Sequence, residues 1–131
     1  MSDVDPVRGV VVGHGEIARG LVGAVRRIAG DVADGLEALS NDGKSPEQLR
    51  SELDATAGDD DVLVFVDLQG GSCGLAALSC CRDREKRIVI GGVNLPMLLE
   101  FVFNRGLPLD ELADRLIEKG RAAISRPLEP S

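Results

Sequence analysis

Short apolar runs of strand length alternate along the chain with segments of helical spacing, and this alternation constrains the fold most. Residues 8–12, "RGVVV", and 62–66, "VLVFV", are continuous apolar runs, as expected of strands that are buried on both faces. Residues 35–39, "GLEAL", and 87–90, "RIVI", are weaker candidates for strands. Alternating strands and helices favour a parallel sheet with right-handed crossovers and with helices on both faces.

The segments between the strands carry helix signals. After the first strand, apolar residues that include Ile17 and Ile28 recur on one helical face, and Gly30 is expected to end that helix. The motif "SPEQ" predicts the start of the second helix, with Ser45 as the N-cap and Gln48 completing a capping box.

The expected fold is therefore a single α/β domain of three layers. Its doubly wound, mainly parallel sheet has the strand order 2-1-3-4, with helices on both faces. Residues 123–128 are a candidate for a further, antiparallel edge strand, which would cover an open edge of the sheet. Pro127 limits such a strand, because proline cannot donate a hydrogen bond to its neighbour.

Composition narrows the class of partner. The 131 residues carry a net charge of −7 and contain three Phe, no Trp and no Tyr, which opposes binding to nucleic acid. No apolar run approaches the roughly 20 residues that span a bilayer, and the acidic N-terminal residues lack the pattern of a signal peptide. We therefore expect a cytoplasmic protein with three reduced cysteines.

The single histidine, His14, stands between two glycines at the end of the first predicted strand. With the strand order 2-1-3-4, Asp67 ends the neighbouring strand, so the two side chains face each other where the strand order reverses. Two simpler interpretations stay open. His14 would be a turn residue bonded to a local backbone group. Asp67 would be a residue at the approach to the next helix, or the partner of a basic side chain.

A glycine-rich loop follows Asp67 and leads into a helix. Free backbone N–H groups at such a helix start favour an anion such as phosphate, which makes Gly70, Gly71 and Ser72 candidate phosphate-binding residues. The alternative is a tight turn in which Ser72 is an ordinary N-cap. The same residues match the G-x-S-x-G nucleophile motif, but no histidine follows Ser72 to complete a hydrolase triad.

Metal and cofactor sites are not expected. A structural or catalytic zinc site needs several well-spaced ligands. The chain has one histidine, and its cysteines lie on a different predicted helix from that histidine.

Three motifs together resemble one family. "GHGEIA", "VDLQGGSC" and "GGVNLPMLLE" are similar, in order and spacing, to loops of the mannose-family enzyme IIA domain. That domain belongs to the bacterial phosphoenolpyruvate-dependent sugar phosphotransferase system (PTS). The resemblance runs from about residue 7 to residue 123. It implies a mannose-type IIA domain at residues 1–125 and a C-terminal tail at residues 126–131.

The resemblance implies a phosphoryl-transfer role. His14 would carry the phosphoryl group on Nε2, Asp67 would orient the ring through Nδ1–H, and Gly70, Gly71 and Ser72 would hold the phosphoryl oxygens. The donor would be the phosphocarrier protein HPr and the acceptor a IIB component, for sugar uptake. The membrane would be reached only through IIC and IID subunits. A homodimer is implied, with the segment 123–128 crossing to the partner's sheet.

Two residues depart from the family pattern. The position before the histidine is commonly Thr and is Gly13 here, and the position after Ser72 is commonly Pro and is Cys73 here. Two other roles stay open. One is a regulatory module whose phosphorylation state is read by a partner protein, and the other is a thiol function centred on Cys73.

Overall fold

The computed structural model describes residues 5–128. It contains β1 (Arg8–Gly13), α1 (Ile17–Ala29), a 3₁₀ helix (Gly30–Gly35), β2 (Leu36–Ser40), α2 (Pro46–Ala57), β3 (Val62–Val66), α3 (Ser72–Cys81), β4 (Arg87–Gly91), α4 (Leu95–Val102) and α5 (Leu109–Ala122). None of the described helices has the length and apolar character needed to cross a membrane.

The four strands form one parallel sheet in the order β2-β1-β3-β4, which confirms the predicted architecture. In the register, Val12 lies opposite both Leu39 and Val66. The three strands therefore end at the same level, and the residues that follow them meet at one edge of the sheet.

The core has two layers because both faces of the sheet are covered. Along β1 the side chains alternate: Val11 packs with the layer of α1, α4 and α5, whereas Val10 and Val12 pack with the layer of α2 and α3. All five residues of β3 are buried, as the apolar run predicts. Phe65 and Phe101 make an edge-to-face contact with ring centroids 5.3 Å apart.

The sequence predicted the start of α2 correctly, but it predicted the buried face of α1 only in part. The Ser45 side chain accepts a hydrogen bond from the Gln48 N–H at 3.1 Å, and the Gln48 side chain accepts one from the Ser45 N–H at 2.7 Å, which confirms the capping box. The apolar face predicted for α1 is buried only in part: Val25 is buried, whereas Ile17 and Ile28 are 48% and 63% exposed. The 3₁₀ helix after α1 was not predicted.

The segment after α5 forms no strand with the chain's own sheet. Residues 123–128 contain only turns and irregular backbone, with Ile124 77% exposed and Leu128 fully exposed. The predicted antiparallel strand is therefore absent from the described part of a single chain, and strand exchange in a dimer stays a prediction. The rest of the predicted tail, residues 129–131, lies outside the described residues.

Candidate functional site

His14 is fixed by its neighbour across the sheet edge. Its backbone N–H donates to Oδ2 of Asp67 at 2.9 Å, and its ring Nδ1 lies 2.9 Å from Oδ2 and 3.2 Å from Oδ1 of the same carboxylate. The structure thus brings together the two residues that strand order predicted to face each other. Because an ionised carboxylate only accepts hydrogen bonds, Nδ1 carries the proton. In the neutral ring, Nε2 then has a free lone pair.

The carboxylate is shielded and its charge is stabilised by these bonds. The Asp67 side chain is 10% exposed, whereas the His14 side chain is 39% exposed. Burial raises the pKa of the Asp67 carboxyl, but the hydrogen bonds from the His14 backbone and ring, together with the charge of His14, outweigh burial and lower it below its ordinary value. Asp67 is therefore ionised at neutral pH and binds the His14 ring on the Nδ1 side, opposite Nε2.

Ser72 lies on the open side of the ring. Its Oγ is 3.4 Å from Nε2 of His14, and it is the first residue of α3, whose initial N–H groups have no partner within the helix. Gly71 is the N-cap of α3, and its backbone packs against the imidazole. A Cβ at Gly71 would lie 3.0 Å from Cε1 and 3.2 Å from Nε2 of the ring. Gly70 has open space around the corresponding position.

Asn41 completes the site and was missed by the sequence analysis. Its Oδ1 accepts a hydrogen bond from the Gly15 N–H at 3.3 Å, and its Nδ2 donates to Oγ of Ser72 at 3.5 Å. Asn41 therefore connects the histidine loop to the start of α3. Its position directly after β2, at the edge where His14 and Asp67 also lie, was the signal available from the strand order.

Cys73 lies next to His14 and Asp67. His14, Asp67 and Cys73 each offer a ligand atom, and these atoms lie within 4.8 Å of one another. This is the group within residues 5–128 that could hold a metal ion, and its N, O and S atoms match the preferences of zinc. Burial, followed by the charge of Asp67, raises the pKa of the Cys73 thiol, so at neutral pH the sulfur is protonated and poorly suited to metal binding or nucleophilic attack.

The loop of the third motif, "GGVNLPMLLE", lies beside the site without entering it. Asn94 caps α4 by accepting a hydrogen bond from the Met97 N–H at 3.1 Å, and it donates to the carbonyl of Gly120 in α5 at 2.9 Å. Gly91, at the end of β4, packs against the Gln69 side chain, where a Cβ would lie 3.0 Å from Cβ of Gln69. Gly91 of this motif therefore lies directly against the loop that carries Asp67.

Comparison with known proteins identifies the family of this chain. A family model, EIIA-man, described as "PTS system fructose IIA component", matches residues 9–118. The chain belongs to the EIIA-man family. It is thus a IIA component of the mannose family of the PTS, as the three loop motifs predicted, and PTS IIA components are phosphotransferases in general.

Individual relatives extend the comparison. The PTS system mannose-specific EIIAB component of Escherichia coli (strain K12) is 41% identical over 76 residues, which cover 56% of this chain and 23% of that protein. The chain thus matches about a quarter of that relative's length. The solved PTS component EIIA from Streptococcus agalactiae is 25% identical with a TM-score of 0.85, covering 92% of this chain and 96% of its own.

A second solved structure shows the same fold. The mannose/sorbose specific IIA subunit from Enterococcus faecalis has a TM-score of 0.84 at 24% identity, covering 97% of this chain and 98% of its own. At this identity the similarity shows the fold alone. The roles of individual residues in this EIIA-man chain are therefore argued from the distances and hydrogen bonds described above.

The contact between Asp67 and His14 predicts a measurable shift in this EIIA-man chain. We expect the Asp67 carboxyl to titrate below its ordinary pKa of about 3.9, and to titrate higher in a His14→Ala variant. The variant keeps the backbone N–H at position 14 but loses the ring bond and the ring charge, while burial still raises the pKa. Carbon-13 NMR of the carboxyl groups measures both values.

The sign of the stability effect follows from the same shift. Because the folded pKa lies below the unfolded value, ionised Asp67 contributes fully to the free energy of unfolding above the unfolded pKa. That contribution is lost as the pH falls through the folded pKa. An Asp67 pKa that is unchanged in His14→Ala would contradict the role of the ring.

Proposed function

We propose that this chain accepts a phosphoryl group from HPr on Nε2 of His14 and passes it to a IIB component for sugar uptake. The observation that carries the proposal is the 2.9 Å contact between Nδ1 and Asp67, which leaves Nε2 as the free nucleophile on the exposed side of the ring. The chain's place in the EIIA-man family supports the choice of donor and acceptor.

The transfer exchanges one N–P bond for another. The Nε2 lone pair attacks phosphorus as the N–P bond of the phosphorylated histidine of HPr breaks, and the Nδ1–H stays bonded to Asp67. Positive charge develops on the ring as the new bond forms, and the carboxylate behind the ring stabilises it. A charge-assisted bond of this kind is worth about 1.5–3 kcal/mol. Transfer to IIB reverses these steps on a different acceptor.

Ser72 and the start of α3 are suited to hold the phosphoryl oxygens. Since Asn41 donates to Oγ of Ser72, the hydroxyl hydrogen of Ser72 is free to point toward Nε2 or toward an oxygen bound to it. The unpaired N–H groups at the start of α3 add further donors for an anion. Phosphoryl transfer depends mainly on such positioning and charge stabilisation.

The surface around the ring is suited to protein partners. Three apolar side chains, Ile17, Leu68 and Leu75, are 48%, 58% and 64% exposed and belong to the segments that carry the site. Exposed apolar groups around a reactive residue are typical of a surface that docks other proteins. The alternative regulatory role would use the same side chains and stays a prediction.

His14 is the expected site of phosphorylation. Incubation with phosphoenolpyruvate, enzyme I and HPr should add one acid-labile phosphoryl group to the intact chain, measured by mass spectrometry, and His14→Ala should add none. Because the half-exposed ring contributes little to the core, the circular dichroism spectrum of the variant should match that of the wild type. Equal labelling of His14→Ala would remove the histidine from the mechanism.

The glycine pair offers a matched test of ring geometry. Gly71→Ala should slow phosphoryl acceptance by about tenfold or more, because the new Cβ meets the imidazole and moves Nε2 away from its position for attack. Gly70→Ala should leave the rate unchanged, because alanine keeps the backbone N–H that would bind phosphate and open space surrounds the new methyl group. Quench-flow labelling from phosphorylated HPr measures both rates. Equal rates in the two variants would show that packing at Gly71 does not position the ring.

We propose that the chain forms a homodimer and that its C-terminal segment exchanges with the partner. The exposure of Ile124 and Leu128 supports this, since a single chain leaves both apolar side chains uncovered. Light scattering should show a dimer for the full chain and a monomer for a chain truncated after Ala122. A full-length monomer at micromolar concentration would overturn dimerisation, and a truncated dimer would overturn strand exchange.

A further inference from the structure

A cationic cavity lies between α2 and α3, outside the histidine site. Its volume is about 470 Å³, and its wall includes Arg50 and Asp54 from α2 and Cys80, Arg82 and Arg84 from α3 and the turn that follows it. The whole chain carries a net charge of −7, so three arginines around one cavity run against its overall charge. Two serine hydroxyls, from Ser51 and Ser79, complete the lining on either side.

Within residues 5–128, Arg84 and Arg50 act on the Asp54 carboxylate through their charge, which helps to lower its pKa. No side-chain hydrogen bond or ion pair joins Arg50, Arg82 or Arg84 to another described residue, whereas Arg8 and Arg115, for example, pair with carboxylates. All three are exposed at the cavity. Each unpaired guanidinium keeps five N–H donors available for a ligand.

Buried Arg87 compensates for the carboxylate in the wall. Its Nη1 donates to Oδ1 of Asp54 at 2.7 Å, and the guanidinium also donates to the carbonyls of Gly58 at 2.7 Å and Cys80 at 2.9 Å. This bond is the main cause of an Asp54 pKa below the ordinary value. The lining holds three guanidinium groups and two carboxylates, Asp54 and Glu47. Because buried Arg87 pairs with Asp54, the cavity keeps an excess of positive charge.

The cavity continues as a groove toward the histidine site. A second cavity of about 290 Å³ shares Glu47, Arg50 and Ser79 with the first and reaches Leu75 and Ser72. Leu75 is 64% exposed, so this part of the groove is apolar. The groove between α2 and α3 therefore has a cationic end, an apolar middle and a far end at Ser72.

We propose that the groove between α2 and α3 binds a small organic phosphate. The phosphate group lies among Arg50, Arg82 and Arg84, and the carbon body lies along Leu75 toward Ser72. One guanidinium group can donate two parallel hydrogen bonds to two oxygens of a phosphate, so a cluster of arginines without ion-pair partners suits this ligand. The volume of the cationic cavity, about 470 Å³, lies within the range of small-molecule sites, roughly 300–1,000 Å³. Inorganic phosphate would fill only the cationic end.

Titration of the full chain with phenyl phosphate tests this proposal by NMR. Saturable shifts of amide signals in α2 and α3 are expected, with weaker binding of inorganic phosphate. In the double variant Arg82→Ala, Arg84→Ala the dissociation constant for phenyl phosphate should rise by about tenfold or more. The control Arg27→Ala, Arg121→Ala removes the same charge from exposed positions on α1 and α5, and it should leave the constant unchanged.

Four results would overturn the proposal. They are a lack of saturable shifts, shifts confined to residues 13–15 and 67–71, equal weakening in both double variants, and equal affinity for phenyl phosphate and inorganic phosphate. Equal affinity for the two phosphates would mean that the phenyl group makes no contact along the groove. Because binding is measured without HPr or phosphoenolpyruvate, failure here is independent of the proposed phosphoryl transfer.

Discussion

The candidate site depends on the carboxylate of Asp67, which links the ends of the neighbouring strands β1 and β3. This carboxylate binds both the backbone and the ring of His14, and so connects the histidine loop after β1 to the glycine loop after β3. This contact is possible because the parallel register ends β1 and β3 at the same level. The sheet therefore determines where the ring lies, and the carboxylate determines which ring nitrogen is free.

The parts of the structure that depend on pattern were predictable from sequence. Continuous apolar runs such as Val62–Val66 identify strands that are covered on both faces, and strand order then places His14 beside Asp67 without knowledge of any side-chain contact. The capping box at Ser45 is equally local, because it involves residues three apart. Where a signal lies within one element or follows from topology, the sequence is sufficient.

Other parts depend on packing between elements that lie far apart in sequence. Asn41 follows the weakest predicted strand, and its bond to Ser72 spans 31 residues, so no short motif marks it. The proximity of Cys73 to His14 depends on how tightly α3 approaches the glycine loop. Ile28 matches the apolar face of α1 by spacing, yet it lies one residue before the end of that helix and is exposed.

The single imidazole has a practical consequence for experiments on this chain. His14 is the one histidine among the 131 residues, so every histidine ring signal in an NMR spectrum of the chain belongs to it. The chain also contains no Trp or Tyr. Tryptophan fluorescence in a mixture therefore comes from the other component. His14 therefore serves as an NMR probe at the candidate site, and the tryptophan fluorescence of an added protein can be followed without a contribution from this chain.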